Sequence, residues 1–234
     1  MQSRHFEPSG ESLAGIRLFA SLSSEERESI ARASQGRRLP AGTELVHDGD
    51  PTDDVYFIVS GKMRATIFAV SGKEVAFRDL GPGESVGDLS AIDGRRRSAT
   101  VVAVEESTVI SMAASFFWTL LEKHPDVNRT LLRDLTSLVR ALSERVVEYS
   151  TLGVKNRIHA ELLRLAGTQA DQEAIITPAP THQEIASRIS THREAVTREL
   201  RHLTTMGLIE RKGTQLTVRN LPLLKQMVED VKGV

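Results

Sequence analysis

Between residues 38 and 111, apolar and polar positions alternate in short runs that turn residues separate. Residues 55–59 (VYFIV) and 63–68 (MRATIF) are two of these runs, and Ser60-Gly61 and Gly81-Pro82-Gly83 are two of the turn signals. A period of two is typical of β-strands, and many short strands at even spacing indicate a sandwich or barrel. The pattern predicts a small β-domain without choosing one strand order over another.

A different periodicity follows, where residues 126–152 contain neither glycine nor proline. Apolar side chains recur there every three or four residues, with charged residues on either side. The stripe consists of Leu131, Leu135, Leu138, Leu142, Val146, Tyr149 and Leu152. Such a narrow stripe is typical of a coiled-coil seam, so it predicts one long helix that pairs with a second copy of the chain. An amphipathic helix packed on its own domain is the alternative.

The residue pattern in the last third of the chain predicts three helices and a hairpin, in that order. The helical segments are 155–166, 181–189 and 193–205, and the hairpin strands are 206–211 and 214–218. A short polar turn joins the second and third helices, which makes them a helix-turn-helix. Because the hairpin adds a wing, we expect a winged helix-turn-helix domain.

The amino-acid composition indicates the expected cellular compartment and excludes several cofactors. The 234 residues are 40% hydrophobic and 26% charged, which is enough to build two ordinary cores. With no cysteine, the chain offers no disulfide, zinc-finger or iron–sulfur ligands. No apolar run reaches the ~20 residues needed to cross a bilayer, and no signal-peptide core is present, so we expect a cytoplasmic protein without a membrane partner. The first ten residues are polar and turn-rich, and we expect them to be poorly ordered.

We therefore expect an α+β protein with a β-domain over residues 1–125, a dimerisation helix over 126–152 and a winged helix-turn-helix domain over 153–234. The net charge of −1 hides an asymmetry between these parts. Residues 153–234 hold 12 Lys and Arg against 9 Asp and Glu, whereas the rest of the chain holds 18 against 22. The C-terminal domain is the candidate nucleic-acid face, although a solvated surface also explains so small an excess.

Residues 83–100 (GESVGDLSAIDGRRRSAT) place the chemistry of an anion pocket in one short span. Gly87 frees backbone N–H groups for close approach, Asp88 can accept from a hydroxyl, and Arg97 with Ser98 can bind a charged oxygen. An anion beside a hydroxyl is what a phosphorylated sugar presents. Ordinary turns and a solvated arginine run are the alternative explanation.

The second helix of the helix-turn-helix begins with side chains that suit base recognition. Arg193, Glu194 and Arg198 share one helix face. Arginine can bond guanine O6 and N7, and glutamate can accept from cytosine N4. A surface ion pair between Glu194 and Arg198 is the alternative. The candidate contacts to backbone phosphate are Thr181, Gln183 and Lys212.

Two of these motifs resemble those of one protein family. Residues 86–89 (VGDL), followed by 97–99 (RSA), are similar to the phosphate-binding cassette of cyclic-nucleotide-binding domains. Residues 191–203 (THREAVTRELRHL) resemble the recognition helix of the cAMP receptor protein and FNR (CRP/FNR) family of bacterial transcription regulators. The resemblance spans about residues 13–218. It implies a jelly-roll β-domain and a homodimer that binds a palindromic operator when a cyclic nucleotide is bound.

Carried across residue by residue, the resemblance implies two sets of binding residues. The cyclic-nucleotide set is Gly87, Asp88, Leu89 and Ser90 beside the sugar, Arg97, Ser98 and Ala99 at the cyclic phosphate, and Leu138, Leu142 and Ser143 at the base. The DNA set is Thr181, Gln183, His192, Arg193, Glu194, Arg198 and Lys212. The implied partners are a double-stranded DNA operator, a second copy of the chain and RNA polymerase. No metal, haem or iron–sulfur cluster is expected.

Departures from the family pattern leave the choice of nucleotide open. Asp88 stands where the family usually has glutamate, so its carboxylate reaches about one methylene less far and water can mediate the ribose contact. Leu138 and Leu142 offer the base an apolar surface, whereas Arg78 and Ser98 are polar partners that a guanine can use. Cyclic AMP is the first expected ligand and cyclic GMP the second.

Two other functions stay open for this sequence. An enzyme could use Asp88 with His47 as an acid–base pair, but the chain lacks a nucleophile elbow, metal-ligand spacing and a P-loop, so we expect no catalytic residues. A winged-helix protein that binds DNA constitutively, or in response to another metabolite, would keep Arg193 and Arg198 beside a pocket that does not function. We expect His47 and His124 to be structural or surface residues rather than haem ligands.

Overall fold

The computed structural model describes residues 4–68, 74–167 and 172–232, and the chain divides into two compact units, Met1–Leu138 and Val139–Val234. Each unit has its own hydrophobic core. The division falls inside the long helix, so the first half of that helix belongs to the N-terminal unit and the second half to the C-terminal unit. Helices and strands occur in both units, which confirms the α+β class.

The alternating region of the N-terminal unit folds into two antiparallel sheets. The strands are β1 (Arg4–Phe6), β2 (Gln35–Leu39), β3 (Glu44–Val46), β4 (Val55–Ser60), β5 (Met63–Phe68), β6 (Glu74–Leu80), β7 (Ser85–Val86), β8 (Thr100–Ala103) and β9 (Ser107–Met112). One sheet has the order β1-β2-β9-β4-β7 and the other β3-β8-β5-β6. Tyr56 and Ile58 of β4 pack between the two sheets, whereas their neighbours Val55 and Phe57 pack on the opposite face. The predicted jelly-roll sandwich is confirmed.

Short helices cover the outer face of the five-stranded sheet. They are α1 (Gly10–Ala14), a 3₁₀ turn (Arg17–Phe19), α2 (Ser24–Arg32), α3 (Asp88–Asp93) and α4 (Ala114–Lys123), followed by the start of α5 (Pro125–Thr151). Phe57 of the sheet meets Phe19 and Phe117 from these helices, with ring centroids 4.7 Å and 6.4 Å away. Such aromatic contacts bury a large apolar area and fix the helices on the sheet.

The expectation that the first ten residues are poorly ordered is wrong for residues 4–10. Strand β1 pairs with β2, where Phe6 lies opposite Gly36. A Cβ at Gly36 would lie 2.2 Å from the Phe6 ring, so the missing side chain makes room for that ring. Ser9 then caps α1 by accepting from the Ser12 N–H at 3.2 Å. Pairing and capping satisfy backbone groups that the polar composition leaves to solvent.

The C-terminal unit contains the predicted winged helix-turn-helix. Its elements are the end of α5, then α6 (Val154–Ala166), β10 (Ala174–Ile176), α7 (His182–Arg188), α8 (Arg193–Thr205), β11 (Ile209–Lys212), β12 (Gln215–Val218) and α9 (Leu221–Lys232). Strand β10 joins the hairpin to form a sheet of order β10-β12-β11. Ile158, Ile185, Val196 and Leu203 pack together beneath that sheet, each fully buried. Helix α9 follows the wing, an element that the sequence pattern did not predict.

The long helix α5 confirms one predicted element but shifts its apolar stripe. Leu131 and Leu152 are buried in the cores of the chain's own two units, which makes the predicted seam wrong at its two ends. Leu132 and Val139, outside that prediction, are 59% and 62% exposed. Six of the exposed or half-buried apolar residues follow a strict three-four spacing, whereas Leu138 of the predicted stripe and Val147 lie outside it. The six are Leu132, Leu135, Val139, Leu142, Val146 and Tyr149, and we call them the α5 stripe.

Candidate functional site

Gly87 connects strand β7 to helix α3 and gives the predicted pocket its shape. Its φ of 87° lies in the left-handed region that glycine tolerates. A Cβ at this position would lie 2.3 Å from Nη1 of Arg97 and 2.6 Å from the carbonyl oxygen of Asp54. Gly87 is therefore required both by the turn and by the close approach of the Arg97 side chain.

Arg97 lies inside the sandwich with only 3% of its surface exposed. Its Nε donates to Oγ1 of Thr52 and its Nη2 to the carbonyl of Asp54, both at 2.9 Å. Its Nη1 donates to the carbonyl of Gly87 at 3.4 Å. The guanidinium carbon stands 5.6 Å from the ring centroid of Tyr56, within the range of a cation–π contact. These contacts fix the side chain on three sides.

All the hydrogen-bond acceptors around Arg97 are neutral. Within the ranges that the structure describes, no carboxylate forms an ion pair with this guanidinium. Moving an unpaired charge out of water costs several kcal/mol even after relaxation (~3–5 in measured cases). The buried positive charge therefore attracts an anion to this end of the sandwich.

Asp88 is the first residue of α3 and supplies the carboxylate of the predicted pocket. Burial raises the pKa of Asp88 above its ordinary value of 3.8, an effect that nearby Asp134 reinforces. The backbone N–H groups of residues 88 and 89 and the positive charge of Arg78 oppose this rise in pKa only in part. The carboxylate thus keeps its proton to a higher pH than an exposed aspartate.

The other residues predicted beside the sugar and phosphate have mixed environments. Ser90 is buried in α3 and Leu89 is exposed on it. Ser98 is exposed and Ala99 is half-buried. The structure thus brings Gly87 and Arg97 together, with Asp88 next in the chain and facing the charges of Arg78 and Asp134, and it leaves Ser98 exposed to solvent.

The residues predicted at the nucleotide base are spread along α5. Leu138 is the last residue of the N-terminal unit, and Leu142 and Ser143 belong to the C-terminal unit. The Ser143 hydroxyl donates to the carbonyl of Val139, one turn earlier in the same helix, at 3.0 Å. Arg78 is already ion-paired with Glu84, so a guanine would compete with that carboxylate. Base recognition by these residues stays a prediction.

Sequence reasoning missed the residues that hold Arg97 and α3 in place. Thr52 and Asp54 are more than 40 positions from Arg97 in the chain. Trp118 of α4 donates its indole N–H to the carbonyl of Ala91 in α3 at 2.9 Å. A hydroxyl, a backbone carbonyl and an indole form no recognisable sequence motif, so these contacts are seen only in the folded structure.

The helix-turn-helix places the predicted base-reading residues on a solvent-exposed face. Arg193, Glu194 and Arg198 are exposed on α8, opposite the buried Val196 and Leu203. Glu194 and Arg198 form no ion pair among the described residues, so the alternative explanation for their spacing is not realised. These three side chains remain available for base edges.

The residues predicted to contact phosphate are partly engaged within the protein. Thr181 caps α7, and its hydroxyl accepts from the Glu184 N–H at 3.1 Å and donates to the Glu184 carboxylate at 2.9 Å. Lys212 lies 2.9 Å from Glu210 in the wing. Gln183 and His192 are exposed, at the starts of α7 and α8. A phosphate contact from the Thr181 hydroxyl therefore requires an exchange of partner, whereas the exposed Lys212 ammonium keeps further N–H donors for phosphate.

His182 connects the two helices of the helix-turn-helix. Its Nδ1 lies 2.8 Å from Oγ1 of Thr197, whose own hydroxyl donates to the carbonyl of Arg193 at 3.0 Å. Because that hydroxyl proton is used, His182 Nδ1 must be the donor in their contact. Burial lowers the pKa of His182, and the charges of Arg211 and Arg193 lower it further. The neutral ring thus ties α7 to α8.

Two regions of the chain match known domain families. Residues 36–124 match the cyclic nucleotide-binding domain, and residues 156–227 match the Crp-like helix-turn-helix domain. A cyclic AMP receptor protein from Thermus thermophilus is 30% identical over 218 residues, which cover 92% of this chain and 98% of that one.

Solved structures agree on the fold. A CooA mutant from Carboxydothermus hydrogenoformans matches with a TM-score of 0.77 at 19% identity, over 96% of this chain and 98% of that chain. The c-di-GMP responsive global regulator CLP of Xanthomonas campestris matches with a TM-score of 0.70 at 22% identity, over 85% of this chain and 100% of that one. At these identities the likeness concerns the fold alone.

A cyclic nucleotide-binding domain followed by a Crp-like helix-turn-helix defines a DNA-binding transcription regulator. The chain belongs to the CRP/FNR family of such regulators, as its motifs indicated. In the described ranges, no helix combines the length and apolarity needed to span a bilayer. The same ranges contain no cluster of three metal-ligating side chains; His47 lies beside Glu44 and His124 beside Glu26.

Proposed function

We propose that this regulator binds a palindromic operator as a homodimer when cyclic AMP occupies the N-terminal pocket, with cyclic GMP as a second candidate ligand. One observation supports this most: the Arg97 guanidinium is buried without a carboxylate partner among the described residues and donates to the carbonyl of Gly87, the residue that precedes Asp88. An anion that enters supplies the missing counter-charge. A cyclic phosphate is such an anion, and its ribose carries the hydroxyl that Asp88 can accept from.

The proposal assigns each part of the nucleotide to residues of this chain. Arg97 and Ser98 bind the cyclic phosphate, and the ionised Asp88 accepts from the 2′-OH of the ribose. Base contacts fall to Leu138, Leu142 and Ser143 of α5. The Thermus relative is described as a cyclic AMP receptor, which favours that ligand, whereas the Xanthomonas regulator is described as c-di-GMP responsive.

The remaining assignments follow from DNA binding. Two copies joined along α5 present two α8 helices to a two-fold symmetric site, since a homodimer and a palindrome share their symmetry. RNA polymerase is the expected protein partner and the cytoplasm the expected compartment. We propose a regulator without catalytic residues, in which the ligand favours the conformation that binds DNA.

Calorimetry with cyclic AMP and cyclic GMP, followed by DNA binding with each, tests this function. The duplex is selected from a random library with the wild-type protein. We expect saturable nucleotide binding and tighter binding of the selected duplex when the nucleotide is present. Equal DNA affinity with and without either nucleotide contradicts the proposal and favours constitutive binding, for which the internal hydrogen bonds of Arg97 would be purely structural.

Ligand affinity should depend on pH through Asp88. Because only the ionised carboxylate accepts strongly from a hydroxyl, affinity for cyclic AMP should be full at pH values above the pKa of Asp88. It should fall as the pH decreases through the raised pKa of Asp88, earlier than an ordinary aspartate allows. Calorimetry over a pH series measures this, with Asp88→Asn as the control. If Asp88→Asn shows the same pH dependence as the wild type, another group causes it.

Arg193→Ala should relax sequence discrimination. Losing a bidentate contact to guanine costs about 1 to 3 kcal/mol at that base pair, while contacts to phosphate persist. Fluorescence anisotropy with the selected duplex and single-base variants measures this. Arg201→Ala is the matched control because Arg201 is exposed on the same helix, outside the predicted base-reading set. Unchanged discrimination in Arg193→Ala contradicts the assignment.

A further inference from the structure

A fully buried carboxylate stands where three helices of the C-terminal unit meet. Glu161 of α6 has none of its surface exposed and is ion-paired with Arg164 of the same helix. Arg145 of α5 approaches it at 3.5 Å and Arg188 of α7 at 3.4 Å. Burial opposes the charge of Arg164, but the attraction of Glu161 and Glu148 outweighs this and raises the pKa of Arg164. We call Glu161 with these three arginines the Glu161 cluster.

A second set of contacts converges on the backbone of the same helix α7. The Tyr149 hydroxyl of α5 donates to the carbonyl of Arg188 at 2.8 Å, and Nη1 of Arg145 reaches the same oxygen at 3.4 Å. Arg188 is the last residue of α7, where helix carbonyls have no partner within the helix. Side chains from the end of α5 thus supply hydrogen bonds to the end of α7.

The position of that carbonyl gives these contacts a consequence for DNA reading. Only four residues separate Arg188 from Arg193, the start of α8, and Ser190 between them has a φ of 52°. A non-glycine residue rarely adopts that conformation, so the turn is held in one defined shape. Fixing the end of α7 therefore fixes the direction in which α8 leaves the turn.

Buried charge is a costly way to join helices. Apolar side chains of similar volume often stabilise a fold as well or better. Their contacts have no preferred direction, however, so two helices can shift along each other, whereas directional hydrogen bonds specify one arrangement. A bound recognition helix must keep its side chains in register with base edges, and a small rotation moves all of them together.

We propose that Tyr149, Arg145 and Glu161 are positioning residues for DNA reading: they fix α7, and through it α8, against the last turns of α5. The inference rests on the proposed base-reading role of α8. It predicts that breaking the contacts lowers specific binding, which needs the correct helix orientation. Non-specific binding depends on charge near the backbone and is retained.

Tyr149→Phe removes one hydroxyl and keeps the ring on which Arg157 rests, with its guanidinium carbon 5.4 Å from the centroid. In the full-length protein with cyclic AMP, we expect about tenfold weaker binding to the selected duplex, the cost of one good hydrogen bond. Binding to a random-sequence duplex should change by less than about twofold, since phosphate contacts remain. Sedimentation verifies that oligomeric state is unchanged.

Ser150→Ala is the matched control, because the Ser150 hydroxyl donates only to the carbonyl of Val146 in its own helix and should leave both affinities unchanged. Glu161→Gln tests the cluster with a second variant of similar shape. The inference is overturned if Tyr149→Phe keeps the wild-type ratio of specific to random binding, or if both affinities fall together with the thermal midpoint. If Arg193→Ala also leaves that ratio unchanged, the base-reading role of α8 fails instead.

Discussion

Arg97→Ala is expected to weaken the binding of cyclic AMP by about 30-fold or more. Removing one partner of a buried charge pair costs about 2 to 5 kcal/mol, and each 1.4 kcal/mol is a factor of ten in affinity. Arg97 provides a buried positive charge without a carboxylate partner among the described residues, and a bound phosphate would supply that partner. Calorimetry on the wild type and the variant measures the loss.

The neighbouring arginine provides a matched control. Arg96 is exposed and donates to the carbonyl of Gly49 at 2.7 Å, so Arg96→Ala should leave nucleotide affinity near that of the wild type. Arg97→Ala should also leave the protein folded, because the unfavourable burial of its charge offsets part of the hydrogen bonds that the substitution removes. Wild-type affinity for cyclic AMP in Arg97→Ala means that this guanidinium does not bind the phosphate.

Thr52 is a second residue on which phosphate binding by Arg97 should depend. Its hydroxyl accepts from Nε of Arg97, so Thr52 helps to orient the guanidinium without belonging to the predicted nucleotide set. A contact of this kind explains how a buried arginine can stay in place without a carboxylate partner of its own. It also shows why the arginine alone, read from the sequence, does not describe the site.

The sequence predicted most of the fold because periodicity and turn chemistry are local. Helix α8 begins and ends at the predicted residues, 193 and 205, since Val196, Leu200 and Leu203 mark its buried face. The role of Gly87 was also predictable, because a turn with a positive φ that another side chain approaches closely has no room for a Cβ. The base-reading face of α8 follows from the same periodicity.

The missed features depend on contacts between distant segments. The polar first residues gain a strand only because Gly36 makes room for Phe6. Adjacent leucines 131 and 132 of α5 look equivalent in sequence, yet the first is buried by short helices of its own unit and the second is exposed. The partners of Glu161 come from three helices and carry no common motif. Tertiary packing decides each case.

Val139→Asp is expected to dissociate the proposed homodimer and, with it, to weaken operator binding. Val139 lies at the middle of the α5 stripe, seven residues from both Leu132 and Val146, and is 62% exposed in the single chain. A heptad spacing of exposed apolar residues indicates a seam between helices. Aspartate there costs a lone chain little, but in a dimer it buries unpaired like charges, so we expect dimerisation to weaken by about 100-fold or more.

Sedimentation over a range of concentrations measures the dimer, and anisotropy with the selected duplex measures its consequence. A single copy reaches one half-site only, so operator affinity should fall along with dimerisation. Ser137→Asp is the control: Ser137 is exposed on α5 but lies outside the α5 stripe, and its substitution adds the same charge. If Val139→Asp stays dimeric where Ser137→Asp does, α5 does not form the interface, and the exposed stripe must serve a different partner.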